Sequence, residues 1–117
     1  MHIRTERIYH HSTTKGQRIL VDRIWPRGIS KSEANLDYWL KDIGPSQPLR
    51  QWFNHDAEKF DEFKTKYQHE LNENKAQKEA FEQLKAIVND TNDDVILLYG
   101  AKDTKHNQAV VLKDLLS

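Results

Sequence analysis

The sequence predicts one α/β domain, a layered sandwich in which a small, mostly parallel sheet is flanked by helices. Three observations carry that reading. Two short apolar runs, Arg18 to Trp25 and Val95 to Tyr99, begin with apolar residues on both face parities, as strands covered on both sides do. Long amphipathic segments separate them. The element order strand, strand, helix, helices, strand, helix suits a sheet joined by helical crossovers. The 117 residues leave room for one domain over the whole chain, and 37% hydrophobic against 31% charged residues obliges each helix to keep a wide polar face.

Taken in order, Ile3 to Tyr9 alternates charged residues with Ile3 and Ile8 and reads as a first strand at a sheet edge. The polar run His10 to Gln17 ends it, with Gly16 at the turn. Arg18 to Trp25 is the most strongly marked strand, stopped near Trp25 because Pro26 and Gly28 favour a turn. Ser30-Lys31-Ser32-Glu33 has the spacing of a capping box and starts a helix. Beyond it Leu36, Trp39, Leu40 and Ile43 fit a helical face, while Leu36, Tyr38 and Leu40 fit a strand face. Gly44-Pro45 breaks the chain, and Ser46 with Pro48 opens a short helix carrying Leu49, Trp52 and Phe53. Asp56 caps the next helix, whose stripe is Phe60, Phe63, Tyr67 and Leu71, and Lys75 to Asn89 forms a second, with Ala80, Phe81, Leu84, Ile87 and Val88 on one face. The pair makes a helical hairpin. Val95 to Tyr99 is the last strand, ended by Gly100, and Ala109 to Leu116 the last helix.

Charge and composition exclude several classes of function. Eighteen basic residues balance eighteen acidic ones, so no overall field draws the chain to nucleic acid or anionic lipid, and such binding must come from a local patch. No cysteine is present, which removes disulfides, thiolate metal sites and thiol nucleophiles. No run approaches the ~18 apolar residues of a membrane span, and the first residues lack the apolar stretch of a secretory signal, so the expected compartment is the cytoplasm.

In open parallel sheets ligands bind beyond the carboxyl ends of the strands, and two segments place chemically useful side chains there. In Asp22-Arg23-Ile24-Trp25-Pro26-Arg27-Gly28, an extended backbone would put Arg23, Trp25 and Arg27 on one face, two forked cations beside an aromatic plate. That suits a phosphate, a carboxylate or a stacked base. A purely structural reading, with Asp22 and Arg23 in ion pairs and Trp25 packed under a helix, stands beside it at even weight. In the second segment, Tyr99 to Gln108, the helix start, Lys102, Lys105 and His106 favour an anion, whereas a solvated loop capped by Asp103 or Thr104 is the structural alternative. Neither segment has the glycine spacing of a nucleotide-binding loop. Of six histidines, His2, His10, His11 and His69 lie in polar or terminal segments, and His55, beside Trp52 and Phe53, is placed for proton exchange or for a backbone hydrogen bond. His55, Asp56, Asp103 and His106 lack the close repeated spacing of a metal site, and no metal is expected.

Three blocks, Arg18-Ile-Leu-Val-Asp-Arg-Ile-Trp-Pro-Arg-Gly28, Leu49-Arg-Gln-Trp-Phe-Asn-His-Asp56 and Asp103-Thr-Lys-His-Asn-Gln-Ala109, resemble the signature blocks of the DUF488 family, in its short YeaO-like branch. The resemblance covers nearly the whole chain and implies an α/β fold without implying an activity. It also implies that Ser30 to Asn35 is a helix and Leu36 to Asp42 a strand, so that Asp42 joins Asp22 and Tyr99 near carboxyl ends. One crevice would then collect Asp22, Arg23, Arg27, Asp42, Arg50, His55, Asp103 and His106, with Trp25, Tyr99 and Asn107 as further ligand contacts. Longer members of the family carry cysteine in the loop after the last strand; its absence here argues against thiol chemistry.

Three functions fit these residues. One is an enzyme for a phosphate-bearing substrate, with Arg23 and Arg27 on the anion and Asp22, Asp103 and His106 as acid and base. Another is a non-catalytic module for a nucleotide or nucleic acid, with Trp25 as stacking plate. The third is a partner-binding domain, for which an exposed Trp39 or Trp52 would be the cue. An anionic-ligand site at the carboxyl edge of the sheet is the favoured expectation, with its catalytic character, any cofactor and the oligomeric state open.

Overall fold

The computed structural model describes residues 2–10 and 15–117. A strand whose every residue is apolar must sit in the middle of a sheet, and β4 (Val95–Tyr99) does, with all five residues buried. Along one side of it runs β1 (Ile3–Arg7) and along the other β2 (Gln17–Leu20), with β3 (Tyr38–Trp39) beyond, giving the order β1-β4-β2-β3. Every pairing is parallel, with Val95 opposite both Ile3 and Gln17 and Ile19 opposite Tyr38. The first strand is an edge strand, as its charged pattern predicts.

Alternation along β2 and β4 divides the core into two layers. Ile19, Val21, Val95, Leu97 and Tyr99 face the larger one, beneath α2 (Gln47–Phe53), α3 (Phe60–Glu73), α4 (Lys75–Asp90) and α5 (Gln108–Leu116). Leu20, Ile96 and Leu98 face the smaller, under α1 (Lys31–Ala34), with Trp25, Ile29 and Leu36 packed against it. A stack of Phe53, Phe63 and Tyr67, with ring centroids 4.3 and 5.7 Å apart, fills the larger layer. The hairpin of α3 and α4 turns at Asn74, whose amide donates to Gln77 Oε1 at 2.6 Å. Among the described residues no helix is long and apolar enough to cross a membrane.

Local signals explain most boundaries. The capping box of α1 is present, the Glu33 N–H reaching Ser30 Oγ at 3.1 Å and the Ser30 N–H reaching Glu33 Oε1 at 3.0 Å. Arg18 closes the other end of that short helix by donating from Nε and Nη2 to Ala34 O and from Nε to Asn35 O. Ser46 caps α2, and Asp56 caps a 3₁₀ turn that leads into α3. Of the polar run after β1, residues 11–14, His11 among them, lie outside the described residues. Gly16 ends it because the chain passes close to Asp94: the Gln17 N–H bonds the Asp94 carbonyl at 2.8 Å, and a Cβ on Gly16 would stand 2.5 Å from that oxygen.

Three boundaries differ from the sequence expectation. The second strand ends at Leu20, not near Trp25, because its neighbours stop offering backbone partners. The Val21 N–H still reaches Leu98 O, but the Gly100 N–H goes to the Asp22 carboxylate and the Asp22 carbonyl accepts from Trp39 Nε1. The expected strand from Leu36 to Asp42 contracts to Tyr38–Trp39, since Lys41–Ile43 winds into a 3₁₀ turn. The cap of α5 is Asn107, whose side chain accepts from the Val110 N–H at 3.1 Å, in place of Asp103 or Thr104.

Candidate functional site

Strand order fixes where a site can form. The chain leaving β2 crosses to the α1 side of the sheet and the chain leaving β4 crosses to the α5 side, so a crevice opens between them at the carboxyl ends. A cavity of about 260 Å³ occupies it. Asp22, Arg23 and Ile24 line it from the end of β2, Arg50, Phe53 and His55 from α2 and the turn after it, and His106, Asn107 and Gln108 from the approach to α5. Phe63 supplies an apolar wall.

Asp22 holds the two loops together. One carboxylate oxygen accepts the Gly100 N–H at 2.8 Å and the other accepts from Gln108 Nε2. Burial raises its pKa above the usual 3.8, while the Gly100 N–H, the Gln108 amide and the Arg50 charge pull the other way. Asp103 has the opposite shift: hydrogen bonds from the Lys105 backbone first and the His106 ring next lower its pKa. His106 Nδ1 lies 2.9 Å from Asp103 Oδ2, and its ring meets the Phe60 ring edge-on at 5.1 Å. The pair fixes the imidazole and leaves Nε2 as its remaining polar atom.

The two carboxylates therefore affect stability in opposite directions. Native Asp22 keeps its proton to a higher pH than the unfolded chain does, so its ionisation destabilises the fold as pH rises through the window above 3.8. Asp103 stabilises the fold at pH above its usual value and ceases to do so as pH falls through its lowered one. Asp22→Asn should flatten the first dependence and leave the second in place. Urea unfolding from about pH 3 to 7 measures both; an unchanged fall of stability above pH 3.8 in this variant would contradict the account.

The arginines are deployed differently from one another. Arg23 donates from Nε to Gly44 O at 3.0 Å and Pro45 O at 2.9 Å. Arg50, half-buried in the cavity wall, makes no side-chain hydrogen bond or ion pair among the described residues, and its Nε is buried without a partner. Buried donors are nearly always paired, so an orphan marks a place where an acceptor is missing. Asn54 and His55 follow α2 in successive left-handed conformations, with φ 47° and 55°. For residues other than glycine each such conformation costs ~1–2 kcal/mol, and this turn sets the exposed His55 at the cavity mouth. His55→Gly should raise the urea midpoint, a gain of up to ~1 kcal/mol after the entropy of the added glycine, and remove the imidazole from the site. A lower midpoint would show that the side chain, not the backbone, holds the turn.

Of the residues expected at the site, the cavity brings together Asp22, Arg23, Arg50, His55, His106 and Asn107, with Asp103 directly behind His106. It does not gather Trp25, Arg27, Asp42 or Tyr99. The shared face of Arg23, Trp25 and Arg27 does not form, because the chain bends at Arg23 and Ile24 and turns at Arg27 and Gly28. Trp25 donates to Ile29 O at 2.6 Å and packs edge-on against Trp39 at 5.2 Å, away from the lining of the cavity. Arg27 is exposed, its carbonyl accepting from the Tyr9 hydroxyl, and Asp42 is exposed on the 3₁₀ turn. Tyr99 is buried in the larger core, which raises its pKa, with its hydroxyl toward Asn107. Trp39 is 38% exposed and Trp52 half-buried beside Lys59 and Lys66. Gln108, Phe53 and Phe63 were not anticipated, since nothing in a helix-start glutamine or a core phenylalanine signals a cavity. Among the described residues no group of three His, Asp or Glu side chains is placed to hold a metal ion.

A family model described as the inactive DUF488-N3 subclade matches residues 2–117. The chain is similar to the uncharacterised protein YeaO of Escherichia coli K12, at 37% identity over 117 residues, covering 99% of this chain and 97% of the relative. It is also similar to the uncharacterised proteins Rv3073c of Mycobacterium tuberculosis H37Rv and Mb3100c of Mycobacterium bovis, each 47% identical over 75 residues. Those matches cover 63% of this chain and 64% of the relatives' length. No solved structure matches.

Proposed function

Since this chain belongs to the DUF488 family, in its inactive DUF488-N3 subclade, we propose that it is a binding domain for a phosphate-bearing ligand, seated in the cavity at the carboxyl edge of the sheet. Arg50 carries the reading: a guanidinium in a cavity wall, with a buried Nε that no acceptor reaches, is complementary to an anion. Arg23, His55 and His106 add positive or protonatable groups around it, and Ile24, Phe53 and Phe63 give the apolar part of a ligand a surface. The Asp103–His106 pair would suit acid–base work, but the description of the subclade weighs toward binding without turnover. A chain free of cysteine suits the cytoplasm, where phosphorylated metabolites and nucleotides are abundant. Thermal-shift and calorimetric titration of the full chain with inorganic phosphate, sugar phosphates and nucleotides tests the proposal. A panel in which nothing raises the melting temperature ends it.

A further inference from the structure

The cavity does not stand alone at this edge. A second, more open hollow adjoins it, and the two share His55 and Ala101 as lining residues. Arg7, Tyr9, Gly100, Lys102 and Asp103 complete the second hollow, and the Asp103 carboxylate, the one acidic side chain in its lining, is engaged by His106 Nδ1 at 2.9 Å.

Arg7 in the outer hollow is built like Arg23 in the inner one. Each guanidinium is clamped through Nε by two successive carbonyl oxygens. For Arg7 these are Gly100 O at 3.2 Å and Ala101 O at 3.1 Å; for Arg23 they are Gly44 O at 3.0 Å and Pro45 O at 2.9 Å. Such a clamp fixes the plane of the fork and spends only the Nε donor, leaving the four terminal N–H groups for something else. Among the described residues those groups meet no carboxylate, because no ion pair involves Arg7, Arg23 or Arg50. The Arg7 guanidinium also lies over the Tyr9 ring at 4.5 Å, and the Tyr9 hydroxyl is tied to Arg27 O at 2.9 Å, so the platform beneath the fork is held as well. Lys102 adds a second, exposed cation. Two pre-organised forks in adjoining hollows present two anion subsites.

The geometry points to a ligand with two phosphoryl groups joined by a short link, one seated by Arg50 and Arg23 in the inner cavity and the other by Arg7 and Lys102 in the outer hollow. The inference rests on the phosphate reading of the inner cavity and adds the second subsite to it. Either a phosphoanhydride, as in a nucleoside diphosphate, or two phosphates separated by a nucleoside, as in a 5′-phosphorylated dinucleotide, has this chemistry.

Calorimetric titration of the full chain with inorganic phosphate, pyrophosphate, ADP and 5′-phosphorylated dithymidine separates the possibilities. The expected result is that pyrophosphate or one of the two nucleotides binds at least about tenfold more tightly than inorganic phosphate. Arg7→Ala should abolish that advantage while leaving inorganic phosphate affinity within about twofold. Because Arg7 also holds two loop carbonyls, Lys102→Ala serves as the variant that leaves the fold untouched, and it should lose about threefold for the probes with two phosphoryl groups alone. A preference for ADP over the dinucleotide assigns the anhydride, and the reverse assigns the diester. Equal affinity for probes with one and with two phosphoryl groups, or an equal loss for all of them in Lys102→Ala, overturns the second subsite and leaves the inner cavity reading standing. Failure of every probe to bind overturns both.

Discussion

Arg50→Met is expected to weaken binding of inorganic phosphate by about 100-fold, or ~3 kcal/mol, while the free chain unfolds at the same urea concentration or a higher one. The two halves of that expectation come from one fact. In the free chain the Nε–H of Arg50 is buried with no acceptor, and such a group costs ~1–3 kcal/mol relative to a paired one. Methionine fills similar space without a polar atom. Part of the gain is offset, because the Arg50 charge eases the ionisation of Asp22, so the net change should stay within ~1 kcal/mol of the parent. In the bound chain the charge-assisted contact is gone and nothing replaces it. A binding titration paired with urea unfolding decides the matter. If the variant unfolds easily while the parent shows no phosphate affinity, Arg50 supports the fold and the cavity reading fails.

Glu70→Ala should produce the largest loss of stability at any polar position outside the cavity, about 2–4 kcal/mol, and lower the melting temperature by roughly 10 °C. Its carboxylate accepts the Ser46 N–H at 2.9 Å, the Ser46 hydroxyl, and Gln77 Nε2 at 3.0 Å. Gln77, 2% exposed, passes the support on by donating from Nε2 to Gly44 O at 3.2 Å. That oxygen is one of the two that clamp Arg23. The Ser46 hydroxyl meanwhile accepts the Leu49 N–H and caps α2, the helix that carries Arg50. Removing the carboxylate takes the acceptor from three part-buried donor groups at once and loosens the loop on which two cationic groups depend. Glu70→Gln, which keeps one acceptor, should lose about half as much. Thermal and urea unfolding of the three chains measure the series, and a change of less than about 0.5 kcal/mol in Glu70→Ala would show that water satisfies those donors.

The elements were legible because their signals are local. The continuous run Val95 to Tyr99, the Phe60-Phe63-Tyr67-Leu71 stripe, the Ser30 capping box and the Ser46 cap each depend on residues a few positions apart. The site was legible in part. Asp22 and His106 follow from the rule that parallel sheets place ligands beyond strand ends, His55 from its place beside Trp52 and Phe53 at a helix joint, and Arg50 through the family blocks alone. What could not be read was direction. Whether Arg23, Trp25 and Arg27 share a face depends on where β2 stops, and that is decided by Gly100 and Trp39, far along the chain, taking the polar groups of Asp22. Arg7 was hidden for the same reason. Nothing in Ile3 to Tyr9 shows that its guanidinium would meet carbonyls at Gly100 and Ala101.

The strand order also bears on how the chain comes to be folded at all. β4 is the last of the four strands to leave the ribosome, yet β1 and β2 have no contact with each other in the sheet except through it. Until residues 95–99 have been made, the only ladder available is the short one between β2 and β3. Loop closure over such sequence separations is slow, and apolar strands that wait for a partner are open to the wrong one. The α3–α4 hairpin, built from local contacts, can form during that wait and cover Ile19 and Val21 on one side. The sheet, and with it the crevice between the β2 and β4 loops, can therefore close only after residues 95–99 have been made.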